Sequence, residues 1–144
     1  MKKLFYFSFI LAGLFIVSCA PDKKDDPTDP STPATDARDK YVAYWNATEY
    51  STSSPTTPTT FTVNIAKSQT SSTEITIFNF SGLSESARAV VNNNNLTIPY
   101  QQIGSIAFAQ GTGTMTSSTH ISLNYTMTIG ASPTETYSAT YVKQ

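Results

Sequence analysis

Ile121-Ser122-Leu123-Asn124-Tyr125-Thr126-Met127-Thr128-Ile129 alternates apolar with polar side chains over its whole length. Successive side chains of a β-strand point to opposite faces, so this stretch reads as a strand with one buried and one wet face. Its inward set is Ile121, Leu123, Tyr125, Met127 and Ile129. Phe61-Thr62-Val63-Asn64-Ile65 repeats the pattern. From about Lys40 to Gln144 charge is sparse, Thr, Ser, Ile, Val and Tyr dominate, and no helical period competes with the alternation. That length suits one domain with one core.

Across the domain the alternation predicts eight strands, over residues 40–49, 60–67, 74–80, 87–91, 95–101, 104–115, 119–129 and 135–143. Asn92 to Asn95 tolerate positive φ and can close a hairpin. Residues 68–73, 116–119 and 130–134 are polar turn segments. Pro99 marks an edge or a bulge in the fifth strand, and Gly111 and Gly113 mark a bend or bulge in the sixth. Residues 51–60, "STSSPTTPTT", read as the longest loop, and a single helical turn over residues 81–88 is an alternative reading of that segment. Short, evenly spaced strands joined by hairpins predict an all-β antiparallel meander. Closure into a small barrel, complete or partly open, removes exposed edges. A two-sheet sandwich is the alternative architecture.

The segment before the domain has a different logic. Lys2 and Lys3 precede an apolar run from Leu4 to Val17, too short to span a bilayer with its need for about 20 apolar residues. Residues 1–18 therefore read as a removable secretion signal. Cys19 is the only cysteine, so it has no disulfide partner within the chain. Ile16-Val17-Ser18-Cys19 resembles the lipobox of bacterial lipoproteins. That resemblance implies cleavage before Cys19, which becomes acylated and forms the new N-terminus. Two or more acyl chains hold a protein stably on a membrane, at about 0.8 kcal/mol per buried methylene. Residues 19–39 are rich in Pro, Asp, Thr and Ser, with few apolar groups to offset ordering entropy, and read as a disordered tether. Residues 40–144 are the all-β domain. The Asp22-Lys23-Lys24-Asp25-Asp26 cluster resembles the surface-export signal of Bacteroidota lipoproteins; a solvated spacer is the other reading.

Composition excludes several function classes. The chain carries 9 Lys and Arg against 10 Asp and Glu, with no basic patch, which argues against nucleic acid. One histidine and scattered glutamates do not make a metal site. No nucleophile elbow, zinc-protease helix or phosphate-binding glycine pattern is present. The four glutamates, Glu49, Glu74, Glu85 and Glu135, read as solvated strand caps, and His120 falls on a wet face. The expectation is a non-enzymatic domain without metal or cofactor.

"ARDKYVAYWNATEY", residues 37–50, and the terminal "ETYSATYVKQ" together resemble a lipocalin-like (calycin) domain. Such domains place a tryptophan on the first strand and pack a basic side chain from the last strand over it. The resemblance implies those roles for Trp45 and Lys143. In layout, from lipobox to last strand, the chain is similar to small Bacteroidota lipoproteins. That implies an outer-membrane protein held by its lipid, with surface exposure as the further expectation. Aromatics on nearly every strand leave two readings open. One is a barrel that takes a small apolar or amphipathic ligand against Trp45, Phe61, Ile65, Leu123, Tyr125 and Tyr141. The other is a filled core whose outer surface meets an envelope protein partner.

Overall fold

A computed structural model of the protein describes residues 35–144. The expected signal peptide, Cys19 and most of the expected tether lie outside those residues. Eight antiparallel strands follow one another: β1 (Ala43–Ser51), β2 (Ser54–Lys67), β3 (Glu74–Phe78), β4 (Ser86–Asn92), β5 (Asn95–Ile103), β6 (Ala107–Ser117), β7 (His120–Ile129) and β8 (Glu135–Lys143). Each pairs with the next, and β8 returns to pair with β1, so the meander is a closed barrel. The sandwich alternative is thereby excluded.

The alternation places the core. Ile121, Leu123, Tyr125 and Met127 of β7 are buried and Ile129 is half-buried at the strand's end. Val63 and Ile65 of β2, Ile75 and Ile77 of β3, and Leu96 and Ile98 of β5 complete a continuous interior. One end is closed by a 3₁₀ turn at Asp39–Tyr41, which buries Tyr41 beneath the strands. The Trp45 indole N–H donates to the Tyr41 carbonyl at 2.9 Å. Lys143 Nζ lies 5.5 Å from the centre of the Trp45 ring and donates to the Lys40 carbonyl at 3.4 Å. A cation over an indole face is attracted by the ring quadrupole.

Several strand boundaries differ from the sequence expectation, each for a local reason. The stretch read as a loop over 51–60 is largely strand, because β2 begins at Ser54. Its threonines suit an extended backbone. Its prolines sit where the β1–β2 register breaks, between the pairs Glu49–Thr59 and Ser51–Ser54, so neither interrupts a regular ladder. The third strand stops at Phe78 rather than residue 80, since Asn79 turns left-handed at φ 60° and sends Phe80 into the core. The helical turn expected over 81–88 is a 3₁₀ turn at Phe80–Gly82, and β4 starts at Ser86. Residues 36–39, expected as the end of the tether, are tied to the domain. Arg38 pairs with Asp36 at 2.7 Å and donates to the Ser71 carbonyl at 2.6 Å, while Lys67 bridges Asp36 and Asp39.

Pro99 does mark a bulge. The β5–β6 register steps from Ile98–Gly111 to Gln101–Ala109, leaving one extra residue on β5. On the other side of β5 the ladder to β4 ends at Val90–Thr97. The Gln101 side-chain amide then replaces the missing strand: its oxygen accepts from the Arg88 N–H at 2.9 Å and its nitrogen donates to the Arg88 carbonyl at 2.8 Å.

Gly111 and Gly113 carry no bulge of their own, as the β6–β7 register runs unbroken through both. Their role is close approach. A Cβ on Gly111 would stand 2.3 Å from the Tyr125 Cβ and 2.4 Å from the Asn124 carbonyl oxygen. Gly111→Ala is therefore expected to destabilise the barrel by about 1–3 kcal/mol, the usual cost of overpacking, read as a lower urea midpoint. Gln101→Ala is expected to cost less, about 0.5–1.5 kcal/mol, since water can replace the exposed bonds to the Arg88 backbone. Unchanged urea midpoints would refute both accounts.

Candidate functional site

Inward positions on β1 run Trp45, Ala47, Glu49, two residues apart. The third of these brings a carboxyl into the interior, and Glu49 is the one charged residue type buried among the described residues, at 5% exposure. Two hydroxyls meet it. The Tyr125 hydroxyl from β7 donates to Oε2, and the Ser81 hydroxyl donates to Oε1 at 2.8 Å. Each carboxylate oxygen can accept about two hydrogen bonds, so acceptor capacity remains on both.

Ser81 reaches Glu49 because of an unusual backbone. Asn79, Ser81 and Ser84 all have φ near +55° and none is glycine, with Gly82 between them at φ 70°. Non-glycine residues in this region cost on the order of 1–3 kcal/mol and persist only where the surroundings hold them. Here the Asn79 side chain clamps the loop, donating to the Thr62 carbonyl at 2.8 Å and accepting from the Ser84 N–H at 2.8 Å. Phe80, fully buried, packs its ring 4.8 Å from that of Tyr125. The loop thus plugs the interior with Phe80 and aims Ser81 at the carboxylate.

Above Glu49 the barrel opens into a mouth of about 400 Å³. Ser51, Ser53, Ser54, Thr57 and Thr59 of the β1–β2 hairpin form one wall. Leu83, Met127, Ile129 and Tyr137 form an apolar wall, and Glu135 stands at the rim, where its Oε2 accepts from the Ser53 hydroxyl at 3.0 Å. Tyr137 stacks on Tyr125 with ring centres 5.2 Å apart. The volume falls within the range of small-ligand sites, roughly 300–1,000 Å³.

Burial pushes the Glu49 carboxyl above its ordinary range, against the opposing pull of the Tyr125 and Ser81 hydroxyls. Tyr125 and Tyr141 are pushed up by burial first and by the Glu49 charge second. The Tyr141 hydroxyl is buried with no hydrogen-bond partner among the described residues.

The residues expected to line a ligand cavity are placed deeper than the mouth. Trp45, Ile65 and Tyr141 are fully buried, Leu123 and Tyr125 nearly so, and Phe61 is half-buried against Gly82. They pack one another as core, and none of the six lines the mouth, although Tyr125 reaches it through Glu49. Cys19 lies outside the described residues. Glu49 is the residue that sequence reasoning missed, having been read as a solvated cap. The signal was its parity with Trp45. Another groove of about 550 Å³ lies on the outer face of β5–β8, beside the exposed Tyr100, which stacks on Phe108 at 5.5 Å. It is open to solvent and lined mainly by Thr97, Gln110, Thr112, Asn124 and Thr126. Among the described residues no three His, Cys, Asp or Glu side chains gather as a metal centre requires.

No protein-family model and no curated protein matches the chain. Solved structures do. A redesigned β-barrel bound to DFHBI matches at 15% identity and TM-score 0.57, covering 76% of this chain and all of its own. A second redesigned β-barrel matches at 14% and 0.52, covering 76% of this chain and 96% of its own. A de novo designed fluorescence-activating β-barrel matches at 18% and 0.51, covering 77% and 100%. At these identities the likeness is one of fold: a closed, up-and-down barrel.

The raised Glu49 carboxyl has a defined pH consequence. Between the unfolded value, about 4.3, and the higher folded value, the folded state binds more protons than the unfolded state. Stability contributed by neutral Glu49 is therefore present at acid pH and lost as pH rises through that window. Glu49→Gln, whose amide oxygen accepts from one of the two hydroxyls while its NH2 donates to the other, is expected to melt higher than the parent at pH 8 and level with it at pH 4. Melting curves at the two values check this, and a parent-like melt at pH 8 would refute it.

Proposed function

We propose that the protein is a non-enzymatic ligand-binding barrel of the cell envelope, anchored through an acylated Cys19 and taking a small amphipathic ligand into its mouth. The mouth above Glu49 is the observation that carries this reading. It joins a polar floor to an apolar wall of Leu83, Met127, Ile129 and Tyr137. Buried polar groups with unused hydrogen-bonding capacity at the base of a cavity are what orient a ligand in such sites. The fold supports the reading through a barrel of similar architecture that has been solved with DFHBI bound. Cys19 with its lipobox-like surroundings supports an outer-membrane location with the domain displayed from it.

The test of binding is native mass spectrometry of the full chain after incubation with an envelope extract of lipids and small molecules. A reproducible added mass is expected, lost in Ile129→Trp, which fills the mouth. A bare protein mass in every preparation would overturn the reading. The anchor has its own test: Cys19→Ala is expected to move the protein from the membrane fraction to the soluble fraction, and retention would refute acylation.

A second reading rests on the outer face. Tyr100 is 67% exposed and stacks on Phe108, giving a flat aromatic platform outside the barrel. In that reading an envelope protein docks there, and the filled core serves only as scaffold.

A further inference from the structure

The charges around the mouth are one-sided. Among the described residues, Glu49 at the floor and Glu135 at the rim are its ionisable carboxylates, and no lysine or arginine lines it. The basic side chains of the described residues are engaged elsewhere. Arg38 and Lys67 pair with Asp36, Arg88 pairs with Glu74, and Lys40 and Lys143 lie at the closed end. Glu49 is thus a nearly buried carboxylate whose partners among the described residues are two neutral hydroxyls, with acceptor capacity left on both oxygens. A buried carboxylate is ordinarily paired, and leaving it without a cation is costly. A ligand that supplied the cation would remove that cost on binding.

The walls narrow the class further. A bare metal ion needs several oxygen ligands, and one recessed carboxylate with two hydroxyls does not supply them. Tyr137, lying over Tyr125, presents an aromatic face beside the carboxylate, and such faces attract ammonium groups. Met127, Ile129 and Leu83 continue the same wall with apolar surface. An organic cation with a short apolar or aromatic tail meets each of these features at once. A fatty acid or other anion would place its charge against Glu49 and Glu135.

Building on the mouth as the binding site, we propose that its ligand is a protonated amine, with the ammonium on Glu49 and the tail along Leu83, Met127, Ile129 and Tyr137. The ammonium donates to the free acceptor sites of the carboxylate, and the Tyr125 and Ser81 hydroxyls hold that carboxylate in place. No bond is made or broken.

The test uses three probes of similar skeleton and different head charge: 2-phenylethylamine, 2-phenylethanol and 3-phenylpropanoate. Each is titrated calorimetrically into the full chain and into Glu49→Gln and Glu135→Gln. The amine is expected to bind at least tenfold more tightly than the alcohol, with no measurable binding of the carboxylate. Glu49→Gln is expected to abolish that preference, bringing the amine and the alcohol to within severalfold of each other. Glu135→Gln, at the exposed rim, is expected to reduce it only severalfold, and remains informative should the floor variant fail to fold. Equal binding of amine and alcohol, or preference for the carboxylate, would overturn the charge assignment while leaving the mouth as a binding site. Binding of none of the three, with an added mass still seen from the extract, would likewise overturn the amine and leave the site. Binding of none, with no added mass, would remove both.

Discussion

When β8 returns to β1, Trp45 lies opposite Lys143 and Ser51 opposite Tyr137, and every strand of the barrel has a paired neighbour on each side. That closure sets everything else. An eight-stranded barrel has an interior just wide enough for side chains or one small ligand, so every inward position must be filled or put to use. At the closed end the filling is thorough: Tyr41 and Trp45 occupy the bottom and Lys143 seals the indole. At the mouth the same rule yields a different result. Small serines and threonines on the β1–β2 hairpin leave space, and Glu49 lies where another aliphatic residue would have completed the core.

Glu49 changes what the neighbouring residues are for. Tyr125 is at once a core ring, packed between Phe80 and Tyr137, and a hydrogen-bond donor to a carboxylate. Ser81 holds a left-handed backbone that its side chain alone would not favour, and its hydroxyl meets Glu49. Strain of this sort tends to gather at binding sites, where fixed geometry matters more than local comfort. The loop from Asn79 to Ser84 therefore belongs to the mouth as much as to the wall.

Strand identity was legible in the sequence because alternation is a local property: each strand's inward set can be read without knowing its neighbours. The bulge at Pro99 was legible for the same reason, since a residue without an N–H cannot continue a ladder. The turn inward at Phe80 was not, because Asn79, Ser81 and Ser84 take a conformation that glycine would have advertised and they do not. Glu49 was half legible. Parity with Trp45 pointed it inward, yet a lone carboxyl in a strand is usually solvated. Only its three-dimensional neighbours, Tyr125 from 76 positions away and Ser81 from 32, account for its burial. The start of β2 was hidden by two prolines whose tolerance depends on a register break that no local pattern records.

The Gln101 amide, standing in for a length of strand beside Arg88, has a mechanical meaning. The β4–β5 ladder holds three partnered positions, Val90–Thr97, Val91–Leu96 and Asn92–Asn95, and beyond them the wall is joined by a side chain. A side-chain clasp can swing away by rotation about single bonds, whereas a ladder must be peeled. This makes the seam between β4 and β5 a place where the wall can part by side-chain rotation. The Arg88 amide, exchanging with solvent faster than its neighbours in β4, would be the first proton to show it opening.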